Sequence, residues 1–151
     1  MADSIDRKIL AILQKDATKS HAEIGRFVNL STSSVNDRIR RMQKNGVIKN
    51  SIVTVDATKV ELNVLAFISV LIDWSEANET FGSVVQSMPQ VLECHHITGD
   101  WSYLLKVRAR NNFELEDLIS NKIKSLPGVT RSETVFALST NKETAALPVI
   151  A

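Results

Sequence analysis

The stretch from Ser31 to Gly46 places hydroxyl, amide and guanidinium groups at spacings that suit a surface for nucleic acid. Small polar side chains open the stretch, and basic side chains follow them. Hydroxyl and amide groups can read base edges in the major groove of DNA, whereas Arg and Lys side chains neutralise phosphates. The candidate DNA-binding residues are Ser31, Thr32, Ser33, Ser34, Asn36, Asp37, Arg38, Arg40, Arg41 and Lys44.

The charged residues of this stretch take different predicted roles. Arg38 and Arg41 are three positions apart and lie on nearly the same side of a helix, which suits a phosphate clamp. Asp37 would repel phosphate, so we expect it to pair with Arg40 or Arg41, or to accept a hydrogen bond from a cytosine amine.

The same stretch has the pattern of a short helix with a narrow buried stripe. Ser31 is a good N-cap, and Gly46 can end the helix in a left-handed conformation. Val35, Ile39 and Met42 recur at helical spacing and form one apolar stripe. An ordinary solvated amphipathic helix would show the same pattern, so the neighbouring segments must decide between the two interpretations.

Two further helices precede it. The first is predicted from Ile5 to Leu13, and the second opens with the capping box Ser20-His21-Ala22-Glu23. Asn29 then ends the second helix, because asparagine tolerates a left-handed turn. A helix, a tight turn and a second helix form a helix-turn-helix motif. The segments Val47-Ile48 and Ile52–Val55 predict strands, as in a winged variant.

Charge and composition agree with a nucleic-acid-binding segment joined to a different domain. The chain has 151 residues and a formal net charge of +1. The first 56 residues hold ten Lys/Arg and six Asp/Glu, whereas the remainder holds eight and eleven. No apolar run is long enough to span a bilayer, and the opening MADSIDRK lacks the apolar core of a signal peptide. A cytoplasmic protein that does not bind a membrane is therefore expected. The single Cys94 excludes an intramolecular disulfide.

The remainder of the chain predicts a second domain. We expect DNA binding in residues 1–56, a linker over 57–63 and an α+β domain over 64–151. Runs of β-branched residues and helical periodicity alternate in the order β-α-β-β-α-β. The predicted elements are a strand buried on both faces at Val64–Ile72, a helix at Ser75–Met88, strands at Val91–Thr98 and Tyr103–Ala109, a helix at Asn112–Leu126 and a strand at Val129–Ser139.

A short internal sequence repeat supports this order. Met88-Pro89-Gln90-Val91 recurs as Leu126-Pro127-Gly128-Val129, and each copy joins the end of a helix to the start of a strand. Two strand-helix-strand copies form a ferredoxin-like fold, with both helices on one face of a four-stranded antiparallel sheet. The other face then lacks cover. Leu71, Leu92 and Leu104 could line it, and we expect two copies of the chain to associate there.

The chain as a whole resembles the Lrp/AsnC family of transcription regulators, also called feast/famine proteins. The resemblance rests on IDRKILAILQKDA, EIGRFVNLSTSSVNDRIRRMQKNGVI, ECHHITGDWSYLLKV and LPGV, which occur in the expected order. It implies an N-terminal winged helix-turn-helix followed by a ferredoxin-like ligand-sensing (RAM) domain. It also implies a sequence-specific regulator that forms homodimers and, often, octamers. DNA binding or assembly would respond to a small effector, an amino acid or a similar metabolite, and no cofactor is implied.

The resemblance also places an effector site at the turn between the second and third strands of this domain. Its implied residues are Gly99, Asp100, Trp101, Ser102, Tyr103 and, from a neighbouring copy, Thr134. An ordinary hairpin turn would need the same glycine. This sequence departs from the family by having Asn29 in place of glycine, Thr32 in place of proline, and Ser102 where a second acidic residue is common. The last difference leaves the identity of the effector open.

Two other functions are compatible with this architecture. Some proteins of the same architecture decarboxylate a haem precursor, a tetrapyrrole, and His95-His96 lies beside the predicted effector turn. Adjacent strand residues point to opposite faces, however, so at most one of these histidines can face a given cavity. No catalytic pair or metal-ligand spacing accompanies them, so we do not expect an enzyme. The other alternative is a metabolite-sensing co-regulator that does not bind DNA. The basic face of the third helix distinguishes a DNA-binding regulator from such a co-regulator.

Overall fold

The computed structural model describes residues 2–73 and 77–149. Internal contacts divide the chain into two units, which we call the helical unit (Met1–Thr54 with Lys142–Ala151) and the sheet unit (Val55–Asn141). Within the described ranges, no helix is both long and apolar enough to cross a membrane.

Three helices form the helical unit: α1 (Ser4–Lys15), α2 (His21–Val28) and α3 (Thr32–Lys44). Each begins at a side chain that accepts a hydrogen bond from the backbone of the first turn, namely Asp3, Ser20 and Ser31. The capping box predicted at Ser20 is present, because the Glu23 carboxylate accepts from the backbone N of Ser20 at 2.8 Å. The core of the unit consists of Ile9, Ile24, Val35, Ile39 and Met42.

The turn between α2 and α3 is as tight as predicted. Asn29 has φ 55 and ψ 48, so it is in the left-handed region, and its backbone N donates to the carbonyl of Gly25. The backbone N of Leu30 donates to the same carbonyl at 3.0 Å. A Cβ atom added at Gly25 would lie 2.5 Å from the Leu30 carbonyl oxygen. Only glycine therefore allows this close approach between α2 and the turn.

Helix α3 ends as the sequence predicted, but the segment after it does not form the predicted strands. Gly46 has φ +69, and the backbone N atoms of Gly46 and Val47 donate to the carbonyls of Gln43 and Met42. This is the Schellman ending of a helix. The strands predicted at Val47-Ile48 and Ile52–Val55 are wrong: residues 47–56 form no strand. The backbone N of Ile48 also donates to the Met42 carbonyl, Val53 is 86% exposed, and neither segment joins the sheet that the described residues form.

The sheet unit has the predicted β-α-β-β-α-β order. A short 3₁₀ turn at Ala57–Val60 precedes the first strand. The predicted start of the first helix of this unit, at Ser75, lies outside the described residues. The sheet order is β2-β3-β1-β4 and all pairs are antiparallel, which confirms the ferredoxin-like fold. The elements are β1 (Val64–Ile72), α4 (Ala77–Gln86), β2 (Val91–His96), β3 (Tyr103–Ala109), α5 (Asn112–Asp117), which continues as a π-helical segment (Leu118–Ile123), and β4 (Val129–Phe136).

Among the described residues of the sheet unit, the helices cover one face of this sheet. Alternate residues of β1, including Ala66, Ile68 and Val70, pack with the helices in a continuous core. The prediction that β1 is buried on both faces therefore holds fully for one face, whereas on the other face Leu65 is buried but Phe67 is 36% exposed. Of the leucines predicted to line that face, Leu92 is exposed, and Leu71 and Leu104 are half-buried.

The last described residues return to α1. The side-chain amide of Gln14 donates to the Leu147 carbonyl at 3.0 Å, and the Leu147 backbone N donates to the Gln14 Oε1 at 2.6 Å. These contacts explain why Lys142–Ala151 is grouped with the helical unit, whereas the sequence pattern assigned it to the second domain.

The close approach at Gly25 gives the first prediction. Gly25→Ala gains helix propensity but forces Cβ against a hydrogen-bonded backbone, so we expect a net loss of about 1–3 kcal/mol in the free energy of unfolding. Gly82→Ala is the matched control in α4, because nothing lies within 4 Å of its added Cβ, and it should be neutral or stabilising. Calorimetric melting of both variants measures the difference. An unchanged melting temperature for Gly25→Ala would contradict the tight-turn geometry.

Candidate nucleic-acid interface and effector turn

The outward face of α3 is polar and basic. Val35, Ile39 and Met42 are buried, so the side chains on the opposite side of the helix face solvent. The exposed residues on that side are Ser33, Asp37, Arg40 and Lys44, flanked by the half-buried Asn36 and the exposed Gln43. Gln43 was not among the DNA-binding residues predicted from the sequence. Its position seven residues after Asn36 could have indicated it, because that spacing places both on the same side of a helix.

Three hydroxyl groups meet at the start of α3. The Ser31 Oγ accepts from the Ser34 backbone N at 3.2 Å and donates to the Ser34 Oγ at 2.9 Å. It also lies 3.0 Å from the Ser33 Oγ. Ser31 is therefore engaged in capping the helix, whereas Thr32 and Ser33 expose their side chains to solvent.

Arg38 and Arg41 both reach toward α1, where Arg38 is half-buried and Arg41 stays 55% exposed. The Arg38 Nη1 donates to the Asp3 Oδ2 at 2.6 Å and to the Asp6 Oδ1 at 2.8 Å. The Arg41 Nη2 donates to the Asp6 Oδ2 at 3.0 Å. The predicted pairing of Asp37 with Arg40 or Arg41 is wrong among the described residues, because Arg41 reaches α1 instead. The two arginines that suited a phosphate clamp thus tie α3 to α1.

Asp6 is the centre of this cluster and is only 2% exposed. Its burial alone would raise the pKa of its carboxyl group. Hydrogen bonds from Arg38 and from the Asp3 backbone, together with the charge of Arg41, outweigh that effect and lower the pKa below its usual value. The same contacts with Asp3 and Asp6 raise the pKa of Arg38. Asp6 is therefore an ionised, buried anchor, which the sequence analysis did not identify.

The predicted effector turn contains Gly99, Asp100, Trp101 and Ser102. Gly99 has φ +108, a conformation that favours glycine, and Asp100 is exposed. The Ser102 Oγ accepts from the Ile72 backbone N at 3.1 Å, and the Ser102 backbone N donates to the Val70 carbonyl at 2.9 Å. Ser102 thus fixes the turn to the end of β1.

The other two predicted effector residues lie on the helix-covered face of the sheet. The ring of Tyr103 packs against Phe81 of α4, with centroids 4.7 Å apart. Thr134 pairs with Ile68 of β1, on the far side of β1 from β3. One chain therefore gathers the turn residues but does not place Thr134 beside them. Its approach from a neighbouring copy stays a prediction.

Trp101 has a neighbour that the sequence analysis did not single out. The Arg131 guanidinium carbon lies 4.6 Å from the centroid of the Trp101 ring, a cation–π contact. The two residues are thirty positions apart, and antiparallel pairing of Leu71 with Arg131 brings them together.

The two adjacent histidines point in different directions, as predicted. His95 Nε2 lies 3.3 Å from a carboxylate oxygen of Glu93, whereas the His96 ring stacks 5.0 Å from Tyr103. They do not form a pair around one cavity. Within residues 2–73 and 77–149, no cluster of three or more His, Cys, Asp or Glu side chains could hold a metal ion.

Together these units define a helix-turn-helix protein with a ferredoxin-like second unit, and two family profiles agree. Residues 3–49 match the "Winged helix-turn-helix DNA-binding" family, and residues 65–147 match the "Lrp/AsnC ligand binding domain" family. The chain belongs to the Lrp/AsnC family of transcription regulators. The resemblance recognised in the sequence is confirmed.

Individual relatives cover nearly the whole chain. It is 34% identical to the HTH-type transcriptional regulator FL11 of Pyrococcus horikoshii over 97% of this chain and 96% of that protein. It is 31% identical to the DNA-binding transcriptional activator DecR of Escherichia coli over 99% of both. Among solved structures, the L-Met complex of transcriptional regulator NMB0573 from Neisseria meningitidis matches with a TM-score of 0.93 and 29% identity, covering 99% of this chain and 97% of that one. The relatives are transcriptional regulators.

The Asp6 cluster gives a prediction about pH. Because folding lowers the pKa of Asp6, its stabilising contribution is complete above the unfolded-state pKa, near 3.8, and is lost as pH falls through the lower folded-state pKa. Asp6→Asn should therefore reduce the free energy of unfolding by about 2 kcal/mol at about pH 7. The difference from the unsubstituted protein should be smaller at about pH 3, because the contribution begins to be lost once the pH falls below 3.8.

Urea unfolding at the two pH values tests this expectation. Asp37→Asn is the matched control, because Asp37 is exposed and makes no ion pair among the described residues. It should change stability little at either pH. An equal destabilisation by Asp6→Asn at both pH values would show that the carboxylate charge is not what stabilises the unit.

Proposed function

We propose that the outward face of α3 binds the major groove of double-stranded DNA. The Asp6 cluster carries this proposal, because it fixes the rotation of α3 about its axis. Thr32, Ser33 and Asn36, near the start of the helix, are assigned to base edges. Arg40 and Lys44, which are exposed and lack carboxylate partners among the described residues, are assigned to phosphates. Gln43 joins the base-reading set because it lies beside Asn36 and Arg40.

Arg38 and Arg41 receive a different role in this proposal. Their guanidinium groups are already bonded to carboxylates, and moving them onto phosphates would leave Asp6 buried without a partner. We assign them to positioning the recognition helix. Ser31 and Ser34 are assigned to the cap, and Asp37 to a cytosine amine.

We further propose that two copies associate through the uncovered face of the sheet. Phe67 and Val135 form a neighbouring exposed pair there, and Leu92 adds apolar area. A dimer would present two copies of α3 to successive major grooves, which are about 34 Å apart. The family resemblance implies octamers, which would present further copies of α3 to DNA in the same way. In this proposal residues 1–56 bind DNA, 57–63 connect, and 64–141 sense the effector and assemble, since Lys142–Ala151 is grouped with the helical unit.

The effector proposed for the turn at Gly99 and Asp100 is an amino acid. The support is the turn itself, with one exposed carboxylate beside a left-handed glycine, and the L-Met bound by the similar regulator from Neisseria meningitidis. Asp100 would accept the effector's ammonium group. Binding that favours one assembly over another would change the spacing of the paired recognition helices and hence the affinity for DNA.

The DNA proposal predicts that two arginines one position apart behave differently. Arg40→Ala should weaken binding to every duplex and reduce the slope of log K against log salt by about 0.9, as for one lost phosphate contact. Arg41→Ala should lower stability and leave that slope unchanged. Fluorescence anisotropy with the full chain and a labelled duplex, titrated over a salt series, measures both. A reduced slope for Arg41→Ala with an unaltered slope for Arg40→Ala would overturn the assignment.

The effector proposal predicts a ligand-dependent melting temperature. In a thermal-shift screen of the common L-amino acids, at least one should stabilise the protein, since a ligand of the native state raises its melting temperature. Asp100→Asn should abolish that shift without altering DNA binding in the absence of amino acid. Glu116→Gln, on the exposed side of α5, is the control with the same loss of charge. A screen without any stabilising amino acid would refute this effector class.

A further inference from the structure

A stacked arginine stands beside the proposed effector turn. Arg131 lies on β4, opposite Leu71, and its side chain is exposed. Its guanidinium carbon is 4.6 Å from the centroid of the Trp101 ring. Trp101 follows Asp100 directly, so β4 and the turn meet at this contact.

The cation–π contact with Trp101 leaves the hydrogen-bond donors of the Arg131 guanidinium unused. A guanidinium that lies over an aromatic ring keeps its N–H donors at the edge of its plane, where they can meet a carboxylate in a bidentate arrangement. Among the described residues, Arg131 makes this aromatic contact and no hydrogen bond or ion pair. Arg38 and Arg41 show the contrast, because one terminal nitrogen of each guanidinium is bonded to Asp6.

Near the turn, the Asp100 carboxylate and the Arg131 guanidinium have no hydrogen-bond or ion-pair partner among the described residues. Asp100 is exposed and has no hydrogen-bond or ion-pair partner among the residues that the structure describes. The neighbouring Ser102 is neutral, and its hydroxyl is bonded to the backbone of Ile72. Glu133, two positions beyond Arg131 on the same face of β4, is not paired with it. The Asp100 carboxylate and the Arg131 guanidinium therefore belong to the same end of the sheet, because Trp101 follows Asp100 directly and contacts Arg131.

We infer that Arg131 binds the α-carboxylate of the effector while Trp101 holds the guanidinium plane in place. This inference rests on the proposed amino-acid effector and adds Arg131 as the residue that recognises its α-carboxylate. Asp100 takes the ammonium group, so the two residues together recognise a zwitterion. The ligand class is then a small molecule with a free α-carboxylate. Amino-acid amides and decarboxylated amines, which keep the ammonium group but lack that anion, bind poorly.

Calorimetric titration with an acid and its amide tests the role of Arg131. The probes are L-methionine and L-methioninamide, together with the same pair for whichever amino acid gives the largest shift in the screen. Measurements at about pH 6.5 keep both ammonium groups charged. The unsubstituted protein should bind the acid about 10- to 100-fold more tightly than the amide. Arg131→Gln should bind the two alike, because the coupling between guanidinium and carboxylate is lost.

Arg110→Gln is the matched control. It removes the same charge from the sheet unit, but Arg110 follows the end of β3 that is distant from the turn, about 20 Å along the strand. It should keep the full preference for the acid. Arg131→Met, whose apolar side chain can still pack on the indole, replaces Arg131→Gln if that variant does not fold.

The outcomes separate the inference from the effector proposal. If Arg131→Gln still prefers the acid, Arg131 is not its partner, although an amino-acid effector stands. If the variant loses acid and amide binding to the same extent, Arg131 only supports the turn and the inference fails. If the unsubstituted protein binds no amino acid, the effector proposal fails and the inference fails with it.

Discussion

The Asp6 carboxylate lies inside the helical unit, where N–H groups of Arg38, Arg41 and the Asp3 backbone surround it. A buried carboxylate without these partners would be strongly destabilising, so the cluster forms as a unit or not at all. Its geometry allows one rotation of α3 relative to α1. The small core of five buried side chains agrees with that rotation. The rotation in turn determines which side chains of the recognition helix face solvent.

This constraint resolves an ambiguity that residue types alone leave open. Four basic side chains occur within seven positions of α3, and any of them can neutralise a phosphate. Two are bonded to Asp6, however, and two are not. An arginine near DNA can therefore act by holding the helix in place, and its removal then changes stability and not the number of phosphates neutralised.

Local rules account for the features that the sequence predicted well. The cap at Ser20, the left-handed Asn29 and the end of α3 at Gly46 depend on residues within a few positions of each other, and all three are present. The bounds of β1 and β3 match because apolar periodicity is a direct signature of a covered sheet. The ferredoxin-like order followed from the repeated helix-to-strand junction at Pro89 and Pro127.

Contacts between distant residues account for what the sequence did not reveal. Asp6 and Arg38 are thirty-two positions apart, and Trp101 and Arg131 are thirty, so no local pattern pairs them. The wing strands were predicted from β-branched residues, but a strand also needs a partner, and Ile52–Val55 has none among the described residues. The close approach at Gly25 likewise depends on where the turn brings the Leu30 carbonyl.

Site-directed photo-crosslinking tests the central claim most directly, since it reports which face of α3 touches DNA. In a Cys94→Ser background the chain has no other cysteine, so one cysteine introduced at Ser33 can carry a photoactivatable aryl azide. A second protein with the same label at Lys15, an exposed residue at the end of α1, serves as the comparison. The account predicts a crosslink to duplex DNA from position 33 and none from position 15. Crosslinking from position 15 without any from position 33 would contradict it.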